Sequence, residues 1–431
     1  MEYKIVRDTV HGNIKLSGVL LELMETPEIQ RLNSIHQLGF AYLVYPGAHH
    51  SRIEHSLGVS HVAGLMADSL GLNEDEKKLV MSAGLLHDVG HGPYSHTLEY
   101  LISSKLKKDH MDITKAVITG EYDIIDKKEK EMIGVKKTIP EILEKHGLKT
   151  KEVAGLVSHK LTDYTANLEF FNSKKPEKKY LNQIIHSAVD ADQIDFLLRD
   201  AHYTGVAYGV IDMGRLLQTM EIHNNSLVLQ KKGVSAVEGM LVARGLMYSS
   251  VYFHKTVRIA EVMMARAVEK AMEKGIGDIT KMTDSELISA LVKLGGFPKE
   301  IVLMLKYRRL FKKAYTKNTD KLEMDEIKKL LKMEKTEERR KKEKEICSRV
   351  GASEGYVIID TPGREILLSE PRLNSIEVKI VDNGKISPFS KHSSLAKGLR
   401  NRRIVEWGVM VSAHPDYVKR ASKTADDVLF G

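Results

Sequence analysis

Cysteine is nearly missing from this chain of 431 residues: Cys347 stands alone, so no internal disulfide can form and a cytoplasmic setting is expected. Long apolar runs are missing too, none approaching the roughly 20 residues a membrane span requires. The N-terminal Met1-Glu2-Tyr3-Lys4 lacks the basic-then-apolar layout of a secretory leader. There are no internal repeats and no low-complexity tracts, which sets aside solenoids and compositional linkers. What is present is a globular composition, 42% hydrophobic and 29% charged, with length enough for a substantial core and two or three structural units. A net charge of +8 and a pI near 9.1 favour anionic partners. Nucleotides, phosphorylated metabolites and nucleic acid all qualify, and charge alone does not choose among them.

The hydrophobic pattern predicts a mainly α chain. Tyr3 to Val6 and Asn13 to Leu16 read as short extended pieces around a His11-Gly12 turn. From Ser17 to about Gly209 the pattern is helical. Thr26-Pro27 opens one helix, Ser51 to Leu70 forms another, and Asn73 with Glu76 makes a capping box for a third. Met220 to Leu229 alternates around Asn224-Asn225 as a hairpin would. Ser235 to Gly275 reads as one long helix capped by Ser235 and Glu238, residues 280–315 as further helix, and Lys321 to Lys344 as a highly charged helix of both signs. After Gly351, β-branched runs at Tyr356–Asp360, Ile376–Val381 and Val405–Val411 predict a small C-terminal α/β subdomain. The expected division is 1–209, 210–345 and 346–431.

The densest chemistry lies in His87-Asp88-Val89-Gly90-His91, at the end of the apolar run Leu79 to Leu86. Neighbours on a helix point about 100° apart, so His87 and Asp88 can serve one metal only where the helix ends. Gly90 and Gly92-Pro93 supply that ending. Nine of the 18 histidines fall between His36 and His110, so the enrichment is local. His55, near a helix start, His87 and Asp88 fit one cation. A fourth ligand is expected from the aspartates of Val189-Asp190-Ala191-Asp192-Gln193-Ile194-Asp195. Two imidazoles and two carboxylates suit Mn, Fe, Zn or Ni, and a cation so held polarises a phosphoryl oxygen and acidifies a water. His91 and His96, in the glycine-containing turn that follows, can bind phosphate oxygens when protonated or give a proton to a leaving oxygen, and His110 is a further candidate. Glu99, three residues beyond His96, is expected to orient that ring.

The set His55, His87-Asp88 and Asp192 resembles the H…HD…D pattern of the HD-domain phosphohydrolases. The strings Tyr45-Pro46-Gly47-Ala48, Arg52-Ile53-Glu54-His55-Ser56-Leu57-Gly58-Val59 and His87 to His96 are similar to those of the deoxynucleoside triphosphate triphosphohydrolases. They are closest to the branch of the sterile-alpha-motif/HD enzyme, with no sterile-alpha-motif segment expected before the core. The likeness continues through Gln37-Leu38-Gly39, Tyr252-Phe253-His254-Lys255 and Tyr307-Arg308-Arg309-Leu310-Phe311, and so covers most of the chain. It implies a helical HD core, one divalent transition metal per subunit with Mg accompanying the nucleotide, and hydrolysis at the α-phosphorus of a dNTP. His55, His87, Asp88 and Asp192 would then hold the metal. Arg52 and Arg244 would hold phosphates, and His96, oriented by Glu99, would protonate the departing 5′-oxygen. Gln37, Leu38, Asp200 and Tyr252 would contact the deoxyribose.

The likeness also implies a homodimer or homotetramer with an activator nucleotide between subunits. Lys4, Arg7, Glu25, Gln30, Arg31 and Asn33 stand in the corresponding N-terminal region. This chain departs from its relatives at Gln193, where they have Lys, at Phe196, where they have Tyr, and at Tyr248 and Ser250, where they have basic residues. A monophosphate, a cyclic nucleotide or a nucleic-acid end is the alternative substrate these changes favour, and a weakly active nucleotide-sensing oligomer is a third reading.

Overall fold

The computed structural model describes residues 2–94, 97–99, 101–102, 108–157, 178–362, 378–396, 398 and 407–431. Strands β1 (Tyr3–Asp8) and β2 (Gly12–Ser17) form an antiparallel hairpin, with Tyr3 opposite Ser17 and Asp8 opposite Gly12. The Asp8 carboxylate closes its turn by accepting the N–H groups of Val10 and His11 at 2.9 and 2.7 Å.

Two helices then build the floor of the site. Ser51 and Glu54 cap the Arg52–Ser69 helix reciprocally, and Asn73 and Glu76 do the same for the Glu74–Leu86 helix. They pack closely because a Cβ on Gly84 would lie only 3.2 Å from the Ser60 backbone. The second helix ends at His87, as its sequence predicted, and the chain turns away at Gly90. A Cβ on Gly90 would meet the Thr114 nitrogen at 2.4 Å and the His110 carbonyl at 2.5 Å, so only glycine admits the start of the His110–Thr119 helix there. The Ala191–Thr204 helix, capped by Asp190 and stopped by Gly205 at φ 72°, packs against the Arg52–Ser69 helix.

Beyond residue 210 the structure departs from the sequence pattern in three places. The expected helix from Ser235 to Gly275 is two helices, Val234–Met247 and Lys255–Met272, joined by a π-helical turn at Tyr248–Tyr252. The first has Gly233 at its N-cap and makes no side-chain capping bond, so Ser235 and Glu238 are not its cap. Residues 280–315 hold helices Asp284–Leu294 and Gly296–Lys306, after which the chain leaves helix for a strand that begins at Lys312. The charged stretch after 321 splits into helices Met324–Lys332 and Thr336–Val350.

The strands explain that exit. β3 (Met220–His223) and β4 (Ser226–Gln230) form the expected hairpin, with Asn224 and Asn225 both at positive φ, as its tight turn requires. β5 (Lys312–Asn318), β6 (Val357–Asp360) and the later β9 (Trp407–Ala413) make one sheet in the order β5-β9-β6. β7 (Lys379–Asp382) pairs in parallel with β4 and antiparallel with β8 (Lys385–Pro388). The molecule is mainly α, with one large core and a second one under the β5-β9-β6 sheet. Val357, Ile359, Val409 and Val411 face that second core, with Ala421, Val428 and Leu429 of the Val418–Phe430 helix. Ile358, Trp407 and Met410 face the main core. β6 and β9 are buried throughout, which is why they read as apolar runs, whereas β5 is polar and partly exposed.

Candidate metal centre and active site

Three aspartates within six residues have three different roles. Asp190 caps its helix, accepting the N–H groups of Ser187 and Gln193 at 2.7 and 2.8 Å. Asp195 lies behind His55 and accepts from its Nδ1 at 2.8 Å. Asp192 faces the other way, its Oδ1 3.1 Å from His55 Nε2. One ligand atom each from His55, His87 and Asp192 lie within 4.8 Å of one another. The helix start at Arg52, the helix end at His87 and the first turn after Asp190 are thus brought to one point.

Several observations show that this point suits a cation. His87 Nδ1 donates to the Gly84 carbonyl at 2.7 Å, which leaves the Nε2 lone pair for a ligand. That Nε2 is buried and has no hydrogen-bond partner among the described residues. Burial opposes charge on His55, yet the Asp192 and Asp195 carboxylates on its two nitrogens push its pKa up to about 10. A metal arriving at the cluster therefore displaces a proton. Asp88, the fourth expected ligand, borders the cluster. Its Oδ1 lies 3.3 Å from both His87 Nε2 and His91 Nε2, while its Oδ2 accepts from Arg52 Nη1 at 2.5 Å. Burial alone would raise its pKa, but His87, His91 and Arg52 hold it well below the usual carboxylate range.

A cavity of about 420 Å³ opens over this cluster, a size ordinary for a small-ligand site. The lining drawn from residues 52–200 includes Arg52, Asp88, His91, Glu99, His110, Phe196 and Asp200. Gln37, Leu38 and Ala41 add an edge, and Tyr248, Tyr252, Phe253, Val257, Arg258 and Glu261 form the facing wall. Arg52 is 1% exposed, and its Nε and Nη2 have no partner among the described residues, so two donors of a fixed cation are free for an anion. Asp200 is pinned from both sides, accepting from His50 Nε2 at 2.8 Å and from Tyr252 Oη at 2.6 Å. The His91 and His110 rings stack with centroids 4.0 Å apart. Burial and the nearby Arg52 and His110 hold His91 well below the usual imidazole value. His110 is shifted the other way: burial lowers its pKa, but the bonded Glu99 carboxylate more than offsets this.

These contacts correct the sequence reading at several residues. The Glu99 carboxylate bonds to His110 Nδ1, and His96, its expected partner, lies outside the described residues. Arg244 is buried behind the facing wall, its guanidinium 5.4 Å from the Tyr248 ring centroid and its Nη1 donating to Gln193 Oε1 at 3.0 Å. Gln193 consequently points at Arg244, not into the cavity. Arg31 is turned inward, its donors taken by the carbonyls of His91, Thr280, Lys281 and Met282, so it offers nothing to a nucleotide at the surface. Lys4 and Glu25 pair with each other at 2.5 Å, and Gln30 donates to the Met24 carbonyl.

Comparison with known proteins agrees with the geometry. Residues 52–200 match the HD domain and residues 211–430 the HD associated region. The chain belongs to the HD-domain phosphohydrolases. An uncharacterized protein of Methanocaldococcus jannaschii is 31% identical over 96% of this chain and 80% of its own length. The deoxynucleoside triphosphate triphosphohydrolase SAMHD1 of Homo sapiens is 29% identical over 72% of this chain and 54% of its own length, so the chain spans about half of that relative. A solved structure, of a hypothetical protein from Aquifex aeolicus, superposes with a TM-score of 0.70 at 26% identity, covering 98% of this chain and 99% of that one. Among the described residues of this HD-domain phosphohydrolase, no helix is long and apolar enough to cross a membrane.

Sequence reasoning missed part of the site. His50, which no sequence motif singled out, holds Asp200. Arg258 and Glu261, three apart on one helix face, line the cavity, with Arg258 Nη1 donating to Glu261 at 2.8 Å. The same guanidinium clasps Asp360 of β6 through Nε and Nη2, at 3.1 and 2.7 Å. The three-residue spacing was visible in the sequence, but the Asp360 partner was not.

Proposed function

We propose that this enzyme hydrolyses deoxynucleoside triphosphates at the α-phosphorus, releasing the deoxynucleoside and inorganic triphosphate. The observation that carries the reading is one cavity in which the His55–His87–Asp192 cluster, the two free donors of Arg52 and the pinned Asp200–Tyr252 pair share walls. His55, His87 and Asp192, with Asp88 beside them, would hold a divalent Mn, Fe, Zn or Ni ion, which would supply Lewis-acid polarisation and a more acidic water. Arg52 takes phosphate oxygens. Asp200, held by His50 and Tyr252, accepts the 3′-hydroxyl, and Leu38 and Tyr252 leave little room for a 2′-hydroxyl. Gln37 Oε1 is buried without a partner among the described residues, which supports a role against the sugar or base.

Water attacks phosphorus, the P–O5′ bond breaks, and the departing 5′-oxygen needs a proton. The Glu99 carboxylate bonded to His110 favours the protonated form of that imidazole on this wall. His96 is the second candidate donor. His91, with its depressed pKa, serves as a neutral donor to a phosphate oxygen. Assembly as a homodimer or homotetramer belongs to the same proposal. An activator nucleotide between subunits would have to be recognised without Arg31.

One observation favours a second reading. Gln193 and Phe196 bring no cation or hydroxyl to the cavity, and Arg258 is already neutralised by Asp360 and Glu261. The wall is thus lean in free positive charge for three phosphates, which suits a monophosphate, a cyclic nucleotide or a nucleic-acid end. Incubating Mn-loaded protein with each dNTP and rNTP, and resolving products by anion exchange, separates the readings. Inorganic triphosphate from dNTPs alone is the expected result. Pyrophosphate or orthophosphate from these substrates, or turnover only of monophosphates, cyclic nucleotides or oligonucleotides, overturns the first reading in favour of the second.

A further inference from the structure

The His55 ring is not held by its own helix. Its Nδ1 meets Asp195 Oδ2 at 2.8 Å, and that carboxylate is saturated by three further bonds. Oδ1 accepts from His11 Nε2 at 2.7 Å and from Arg199 Nη2 at 2.9 Å, while Oδ2 also accepts from Arg199 Nε at 2.9 Å. The other end of Arg199 donates to Asp8 Oδ2 at 2.8 Å, and Asp8 Oδ1 fixes the backbone N–H groups of Val10 and His11. The circuit is closed and dry. The side chains of His11 and Asp195 are 2% and 0% exposed, and those of Arg199 and Asp8 are 0% and 3% exposed. Gly58 makes room for it, since a Cβ there would lie 1.9 Å from Asp195 Oδ1.

We propose that the turn of the N-terminal hairpin is a working part of the metal centre: His11, anchored by Asp8, sets divalent-cation affinity by locking the His55 ring through Asp195. An ionised carboxylate only accepts, so His55 Nδ1 must carry its proton when facing Asp195. That tautomer leaves the Nε2 lone pair aimed at the metal position. Four bonds from three directions fix the Asp195 plane, and with it the ring's angle; without His11, Oδ1 is left to Arg199 alone. The circuit also matters electrostatically. With both rings neutral, Asp8, Asp195 and Arg199 carry one net negative charge, buried directly behind a ligand of the cation. The hairpin precedes the residues that match the HD domain, which begin at 52, so the site extends beyond that domain. Its ladder does not depend on the His11 side chain, because the β1–β2 pairing is made by backbone from Tyr3 to Asp8. His11 is a positioning residue: it touches neither metal nor substrate, and the inference holds whichever phosphoester is cleaved.

The test is Mn(II) affinity of the full chain, measured by titration against the EPR signal of free Mn(II), alongside the melting temperature of the metal-free protein. His11→Ala is expected to weaken binding about 10- to 100-fold, the usual effect of losing a partner that orients a ligand. His11→Gln, whose amide nitrogen can occupy the Nε2 position, is expected to recover most of the affinity. Tyr3→Ala, an exposed change on the same hairpin, is expected to leave it unaltered. Wild-type Mn(II) affinity in His11→Ala overturns the proposal. So does an affinity loss in Tyr3→Ala matching that of His11→Ala, because hairpin folding would then be the cause. Should His11→Ala fail to fold, His11→Asn takes its place, being polar but too short to reach Asp195. Equal affinities for the Gln and Asn variants then count against the idea.

Discussion

Asp190, Asp192 and Asp195 are chemically identical side chains, and only their direction from one helix separates a cap, a ligand and a ring-holder. Replacing Asp192 by Ala should therefore leave the fold intact and strip the metal. Metal content after gel filtration is expected to fall from near one ion per chain to near zero, and a retained ion would remove Asp192 from the coordination sphere. Glu99 and His110 make a second residue-level prediction. Burial works against a charged His110, but the Glu99 pairing raises its pKa above the usual imidazole value. The pair therefore stabilises the fold fully below about pH 6.5, and this contribution fades as pH rises through the elevated value. If the protonated ring serves the reaction, kcat falls on the alkaline side of the same value. Glu99→Gln should move that alkaline limb to lower pH. An unmoved limb would assign it to another group, with His96 the first to examine.

Helices here are positioned by glycines that would be poor choices for a helix alone. Ala in place of a helical Gly ordinarily stabilises by about 1 kcal/mol. At Gly58 the sign should reverse, because the new Cβ would lie 1.9 Å from Asp195 Oδ1 and 2.4 Å from Arg199 Nη2. Overpacking of this kind costs about 1–3 kcal/mol. Gly58→Ala should lower the melting temperature of the metal-free protein and weaken Mn(II) binding together; a raised melting temperature would show that the circuit behind His55 yields easily. The π-helical turn at Tyr248–Tyr252 is the other element that shapes the site. It interrupts what the sequence shows as one continuous helical pattern, and it carries Tyr248, Val251 and Tyr252 on the cavity wall. Such turns recur at functional sites, and apolar periodicity does not reveal them.

The two regions of the molecule meet across the cavity. The candidate metal ligands come from residues 52–200, whereas the facing wall belongs to the region 211–430, and Asp360 on β6 grips that wall through Arg258. The β5-β9-β6 sheet thereby steadies one side of the substrate space from outside it. Asp360→Ala leaves Arg258 with Glu261 alone in a largely buried setting, and should cost roughly 3 kcal/mol in denaturant unfolding. It should also raise KM more than it lowers kcat, because the wall loosens while the metal cluster does not. Equal loss in the two parameters would place the effect at the metal instead. Strand pairing also crosses the chain widely: β4 bonds to β7, so the hairpin at 220–230 and the segment near 380 form one sheet.

The sequence by itself determined two of the helix starts that shape the site, since Ser51 with Glu54 and Asn73 with Glu76 act within three residues. It determined the end of a helix at His87, and the kinds of donor on offer there, because ligand chemistry resides in residue type. It could not choose among the three aspartates, whose roles depend on helix phase against a neighbour far along the chain. Nor could it show β5, whose polar residues become a strand only by pairing with β9, or His11, whose partner Asp195 is 184 residues away. Local capping and spacing are written in short segments. Which side chain faces the ion, which holds its ring and which merely caps a helix is settled by contacts between distant segments, and these exist only after the core has packed.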